Sequence, residues 1–346
     1  MHPIELASNE NPLGPSPRAI EAAHNALAGS NRYPDGSAFY LREALAARHK
    51  IPAENIIPGN GSTELIDLAA RTLLVPGDTG VTAQGSFPLY YIAIRSVGAR
   101  LVEVPLRDYT FDLDAIARCV TPDTKLIYLA NPNNPTGTMF TADELDSFLA
   151  RIPEHILVVL DEAYCDYVED PNYSRSLDLV RGGESLLVLR TFSKVYGLAG
   201  LRVGYGIGPA DLLAEMNKIR MPFNTSGVAQ AAALAALDDA EHVRLSVESN
   251  RAGLVQLQTG LGVLGLRVIP SVTNFILTEF GYHTEPLCRE LLQCGVIVRP
   301  MGWMGFPNAI RVSVGTSAEN DKFLRALADV LSKSAAHKFE THKEGK

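Results

Sequence analysis

The sequence predicts an α/β fold, with a large, doubly wound, mostly parallel sheet domain followed by a smaller α+β domain. Two observations carry this reading. Short, near-continuous apolar runs alternate with helix-like stretches up to about residue 207, as expected for strands covered on both faces by helices. Beyond about residue 262 the runs shorten and interleave with two helical patterns. The 346 residues suffice for two moderate domains, and a composition of 46% hydrophobic and 20% charged residues is ordinary for a globular chain.

In chain order, residues 80–83, 100–104, 125–130, 156–160, 186–189 and 203–207 read as strands of the large sheet. Residues 64–74, 88–97 and 142–150 read as helices between them. An alanine- and leucine-rich stretch over 211–261 has helical spacing and reads as long connecting helices. In the second part, strands are expected over 267–270, 274–277, 296–299 and 309–314, and helices over 285–294 and 319–333. The polar end, 338–346, reads as a frayed tail.

A net charge of −8 without a basic run argues against a nucleic-acid surface. Cys119, Cys165, Cys288 and Cys294 form no C-x-x-C pair and no zinc-like spacing with histidine, so reduced thiols and no metal are expected. The first residues carry neither a basic nor an apolar signal region, and no apolar run is long enough to span a bilayer. A cytoplasmic protein is the expectation.

The chemistry concentrates at Thr191-Phe192-Ser193-Lys194, which follows the strand at 186–189. A lysine among Phe192, Val195, Tyr196 and Leu198 is either paired or lowered in pKa, and the latter frees its amine as a nucleophile toward an aldehyde cofactor. Thr191, Ser193 and Arg202 would then cradle that cofactor's phosphate. Gly59-Asn60-Gly61-Ser62-Thr63-Glu64 opens a helix, where backbone N–H groups hold anions; taken alone, Ser62 and Thr63 read more simply as ordinary helix caps, and their pairing with Thr191, Ser193 and Arg202 strengthens the anion reading. In a doubly wound sheet, ligands sit at the C-terminal ends of the strands, and Asp161 falls at such an end. Arg311 interrupts an apolar strand, so it is either paired internally or holds an anionic substrate. Arg299, ending the preceding strand, would make the pair better suited to a dianionic phosphate than to a lone carboxylate.

Thr191-Phe192-Ser193-Lys194 followed by Gly197-Leu198-Ala199-Gly200-Leu201-Arg202 resembles the cofactor-lysine signature of the fold-type I aminotransferases that use pyridoxal 5′-phosphate (PLP). Within that group the chain, from about residue 4 to 317, most resembles the histidinol-phosphate aminotransferase family. The resemblance implies Lys194 as covalent anchor and proton carrier, and Gly61, Ser62 and Thr63 against the phosphate. It places Asp161 on the pyridine nitrogen, Tyr164 and Asn134 on the ring's 3′-oxygen, and Phe87 stacked on the ring. Arg311 becomes the substrate-anion arginine, and Asn9 lies in a segment lining the substrate pocket, although Leu13 stands where many relatives carry an aromatic. Tyr33 would reach the phosphate of a second subunit, implying a homodimer with shared sites.

The resemblance also makes the smaller domain discontinuous, 1–29 with 246–337, around a PLP-binding domain of 30–245. The reaction it implies is L-histidinol phosphate plus 2-oxoglutarate giving imidazole-acetol phosphate plus L-glutamate. Aromatic amino-acid transamination and phosphothreonine decarboxylation are alternatives on the same scaffold, and a non-enzymatic PLP-binding regulator is a third.

Overall fold

The computed structural model describes residues 3–341. Its strands are β1 (Ile4–Glu5), β2 (Ile56–Gly59), β3 (Thr79–Ala83), β4 (Arg100–Val104), β5 (Thr124–Ala130), β6 (Leu157–Asp161) and β7 (Leu186–Thr191). They continue as β8 (Gly204–Ile207), β9 (Arg267–Ile269), β10 (Phe275–Glu279), β11 (Val296–Ile297), β12 (Arg299–Met301) and β13 (Phe306–Ser313).

A seven-stranded sheet runs in the order β2-β8-β7-β6-β5-β3-β4. The β4–β3, β3–β5, β5–β6 and β6–β7 pairs are parallel, and β8 alone opposes its neighbours β7 and β2. Strands β3, β5, β6 and β7 therefore end on one edge of the sheet, where β2 also ends and β8 begins. This edge gathers Gly61, Phe87, Asn134, Asp161, Lys194 and Arg202. Helices such as Gly61–Leu73, Leu89–Ser96 and Ala142–Leu149 return the chain between parallel strands, burying Leu65, Ile66, Ile94 and Phe148 against them.

A second, antiparallel sheet has the order β12-β13-β10-β9, and β1 pairs in parallel with β11. Leu6, Leu257, Leu261, Ile276, Ile310, Val312 and Phe323 form the core beneath it. The helix Ala240–Val263 joins the two cores, with Val243 and Val247 on the first and Leu257 and Leu261 in the second. Among the described residues, no helix is long and apolar enough to cross a membrane.

The structure departs from the sequence reading at several places. Residues 56–59 form a strand although Pro58 and Gly59 disguise it. Strand β2 lies at the sheet edge, where a residue without an N–H is tolerated. The expected strand at 296–299 divides at Val298, so Arg299 opens β12 on a different sheet, also at an edge and followed by Pro300. Helix Pro17–Leu27, expected with the smaller domain, places Ala19 in the large core and packs on Gly227–Leu237, whose small alanine surface accepts it closely. The last helix, Ser317–Thr341, continues into the expected frayed tail, because the sequence holds good helix formers and no proline or glycine there. Residues 342–346 lie outside the described residues.

Candidate active site

A cavity of 460 Å³ opens between the edge of the large sheet and the hairpin β12–β13. Its lining includes Asn9, Ser62, Thr63, Phe87, Asn134, Asp161, Tyr164, Thr191, Ser193, Lys194, Arg202, Arg299 and Arg311. Tyr33 is not among the lining residues. It is 83% exposed and stacks on Phe223, with ring centroids 4.6 Å apart.

One end of the cavity is built to hold an anion. The helix Gly61–Leu73 starts three residues earlier than expected, with Asn60 at the N-cap position, so Ser62 and Thr63 lie in its first turn. Neither hydroxyl has a protein hydrogen-bond partner among the described residues, which removes the capping explanation. Gly61 has φ +69°, and a Cβ there would collide with the Arg202 guanidinium. A Cβ on Gly204 would lie 2.6 Å from the backbone nitrogen of Ser62. Both glycines thus keep the helix start, the strand end and Arg202 in close approach. The Arg202 Nη1 donates to Ser193 Oγ (3.3 Å), and Thr191 Oγ1 donates to Ser193 Oγ (2.9 Å).

Asp161 is 6% exposed at the end of β6. Its Oδ2 accepts from the Tyr90 hydroxyl at 2.8 Å, and its Oδ1 accepts from the backbone N–H of Ala163 at 3.1 Å. Burial nonetheless pushes the carboxyl up to about 6, against the lowering by those two hydrogen bonds and the Lys194 charge. Tyr90 was not foreseen, although it lies in the first turn of the helix Leu89–Ser96, only three residues after Phe87, and meets its ring. Its ring stacks on Tyr128 (5.1 Å) and meets Phe87 edge-on (5.8 Å).

Lys194 is half-buried, and its ammonium donates to the carbonyls of Asn9 (3.2 Å) and Ser8 (3.5 Å), 5.4 Å from the centroid of the Tyr164 ring. Its partners are thus main-chain oxygens from the start of the chain. Asn9 has φ +57° and is buried. Its Nδ2 donates to Tyr164 Oη (3.0 Å) and its Oδ1 accepts from Ser313 Oγ (3.1 Å), so its amide is committed to protein groups.

At the other end, Arg299 and Arg311 stand directly opposite each other in the β12–β13 register. Arg311 donates to Ala7 O (2.6 Å) and to Asn134 Oδ1, and lies over the Phe275 ring. Its Nε is buried without a partner. Burial brings its guanidinium down to about 10, and the Arg299 charge adds to the lowering. No group of histidines, cysteines or carboxylates able to hold a metal occurs among the described residues.

A hydroxyl-lined anion cradle, a buried carboxylate and a lysine amine therefore face one cavity at the edge of a doubly wound sheet, the arrangement of an enzyme built around a phosphorylated aldehyde cofactor. Residues 2–327 match the family of aminotransferases of class I and II, and the chain belongs to it. It is similar to histidinol-phosphate aminotransferase 1 of Nitrosococcus oceani, 48% identical over 95% of this chain and 89% of the relative. The histidinol-phosphate aminotransferase of Moorella thermoacetica is 46% identical over 95% and 86%. Among solved structures, the Sinorhizobium meliloti histidinol-phosphate aminotransferase in complex with PLP superposes with a TM-score of 0.90, at 30% identity over 96% of this chain and 91% of that one. Aspartate aminotransferase from Thermus thermophilus, with maleate, gives 0.85 at 26% identity over 95% and 92%. The chain is an aminotransferase and its cofactor is PLP. The cavity fits that group, because the two glycines leave the cradle open, the Ser62 and Thr63 hydroxyls have no protein partner, and Asp161 is buried without a counter-charge in contact.

Proposed function

We propose that this chain transfers the amino group of L-histidinol phosphate to 2-oxoglutarate, giving imidazole-acetol phosphate and L-glutamate, in the cytoplasm, as a homodimer. When bound, PLP supplies a carbonyl that links to amines and a ring that takes up the electron pair released at the substrate Cα. Lys194 would hold the cofactor through its amine and, once freed from it, would act as the acid/base that moves the proton at the substrate Cα. Its contacts to the Asn9 and Ser8 carbonyls provide a place for the amine to turn once displaced.

Asp161, held by Tyr90, would pair with the cofactor's ring nitrogen and favour its protonated form. Tyr164 and Asn134 would serve the cofactor's 3′-oxygen, and Phe87 would supply an aromatic face for its ring. Gly61, Ser62, Thr63, Thr191, Ser193 and Arg202 receive the phosphate, and Tyr33 reaches the phosphate in a second copy of the chain, consistent with its exposure in a single copy. Asn9 acts by orienting Tyr164 rather than by touching substrate. The smaller domain comprises the strand at 4–5 with its following segment and the residues from about 246 on. The helix Pro17–Leu27 belongs with the larger domain.

The observation that carries the substrate reading is the cross-strand pair of Arg299 and Arg311. Two guanidinium groups with a buried, unpartnered Nε between protein walls suit a dianionic phosphate monoester. The curated relatives of similar length bear that activity in their names. Comparing histidinol phosphate with phenylalanine as donor, each with 2-oxoglutarate, tests it. A higher kcat/KM for phenylalanine would replace this reading with aromatic amino-acid transamination.

A further inference from the structure

The hairpin that carries Arg299 and Arg311 also carries the chain's one tryptophan, at its tip. Trp303 lies in the turn Gly302–Met304 between β12 and β13 and lines the cavity, yet is 64% exposed. The tip itself is fixed. Met304 is buried with Met301, Leu277, Ile269 and Ala309, and Gly305 at φ +91° closes the turn. Phe306 stacks on Tyr109, and its ring lies so close to Gly85 that a Cβ there would come within 2.8 Å of it. The hairpin tip is thereby docked on the turn that leads into Phe87.

The other aromatic rings lining the cavity are already engaged. Tyr90 is buried and bonded to Asp161, Tyr164 is buried and bonded to Asn9, and Phe87 packs edge-on to Tyr90. With Phe87 assigned to the cofactor ring, the indole of Trp303 is the lining aromatic whose face is left for the donor. We propose that Trp303 is the specificity residue that receives the flat ring of the amino donor, while the two arginines of the same hairpin hold the donor's anionic end. An indole face attracts an offset-stacked imidazole, and attracts a protonated imidazolium more strongly. Putting ring and anion contacts on one rigid hairpin means that a donor with both groups is oriented by a single element. The inference rests on the proposed donor class, a ring-bearing phosphorylated amine.

Three holoenzyme variants test it: W303A, W303L, which keeps apolar bulk without the aromatic face, and W303F, which restores a ring. Each is assayed with histidinol phosphate and with 2-aminopropyl phosphate, which has amine and phosphate but no ring. The ratio of the two kcat/KM values should fall about 5- to 10-fold in W303A and W303L, mainly through KM, and recover to within about 2-fold in W303F. Because the chain has one tryptophan, its emission reports the site directly in the wild type. Histidinol phosphate should alter that emission more than the ring-less amine at matched saturation. Equal losses for both donors, an unchanged ratio, or identical emission changes would each overturn the assignment. If the wild type prefers phenylalanine to histidinol phosphate, the substrate reading fails separately, and the Trp303 ratio is then read between phenylalanine and alanine with the same criteria.

Discussion

Replacing Asp161 with asparagine should stabilise the cofactor-free protein at alkaline pH while crippling the enzyme. Burial raises the carboxyl from the ordinary 3.8 to about 6. Below the lower value the group is protonated in both the folded and the unfolded chain, and its ionisation costs nothing. Between the two, the unfolded chain releases a proton that the folded chain retains, so stability falls as pH rises and stays reduced above about 6. A gap of about 2, at about 1.4 kcal/mol for each pH unit, amounts to about 3 kcal/mol. With an unfolding entropy of about 2.1 cal/mol/K per residue over 346 residues, that corresponds to about 4 °C in Tm. We predict that the Tm of D161N minus that of the wild type rises by about this amount between pH 4 and pH 8, both apo and at one protein concentration. Added PLP should raise the wild-type Tm more than that of D161N, because the ring's charge compensates the carboxylate in the wild type alone. A difference that does not move with pH would refute the reasoning, since Asp161 would then be compensated already in the cofactor-free site.

Three further outcomes follow from the proposed roles. Lys194→Ala should bind PLP without retaining it covalently after borohydride reduction, and turnover at even a tenth of the parent rate would remove the lysine from its role. Arg299→Ala should lower kcat/KM for histidinol phosphate about 10- to 150-fold, the loss of a charge-assisted contact, and less for phenylalanine. An equal loss for both donors would make Arg299 structural. Mixing Lys194→Ala and Tyr33→Ala chains should give, after subunit exchange at limiting PLP, more activity than the two alone, because about a quarter of all sites then hold Lys194 and a partner's intact tyrosine. Proven exchange without a gain would place Tyr33 outside the neighbouring site.

The large sheet was legible because its strands are buried on both faces, so Lys125-Leu126-Ile127-Tyr128-Leu129-Ala130 and similar runs carry the signal in composition alone. Two edge strands were not, since Ile56–Gly59 and Arg299–Met301 tolerate proline where no neighbour needs its N–H, whereas the proline-free edges Arg100–Val104 and Arg267–Ile269 could be read. The same asymmetry holds in the cavity. Lys194, Asp161 and Arg202 follow strand ends or a recurrent motif and could be found locally. The groups that hold Lys194 and Asp161 come in part from far along the chain. The carbonyl of Asn9 reaches Lys194 across 185 residues, and Tyr90 reaches Asp161 across 71. Such contacts are set by which strands adjoin, and no local pattern encodes that order.

The electrostatics of the cavity explain why so much of the fold is spent on these supports. Asp161 and Arg311 carry opposite charges, yet each is bonded to neutral partners, Tyr90 and the Ala163 N–H for one, Ala7 O and Asn134 for the other. Burial works against both charged forms, raising the acid and lowering the base. Had the two been paired with each other, each would be satisfied and neither would be free to meet a ligand. Held apart by dipoles, they keep the ligand-free site less stable than it could be, and in the proposed roles their compensation would come from a cationic ring nitrogen for one and an anionic donor for the other. The adjacent Glu162 shows the contrasting arrangement. Its carboxylate is buried against Arg190 at 2.7 Å, a direct ion pair between the strand ends of β6 and β7 and away from the cavity lining. Consecutive carboxylates on one strand end thus point to opposite faces of the sheet, and the one facing the cavity lacks a guanidinium partner.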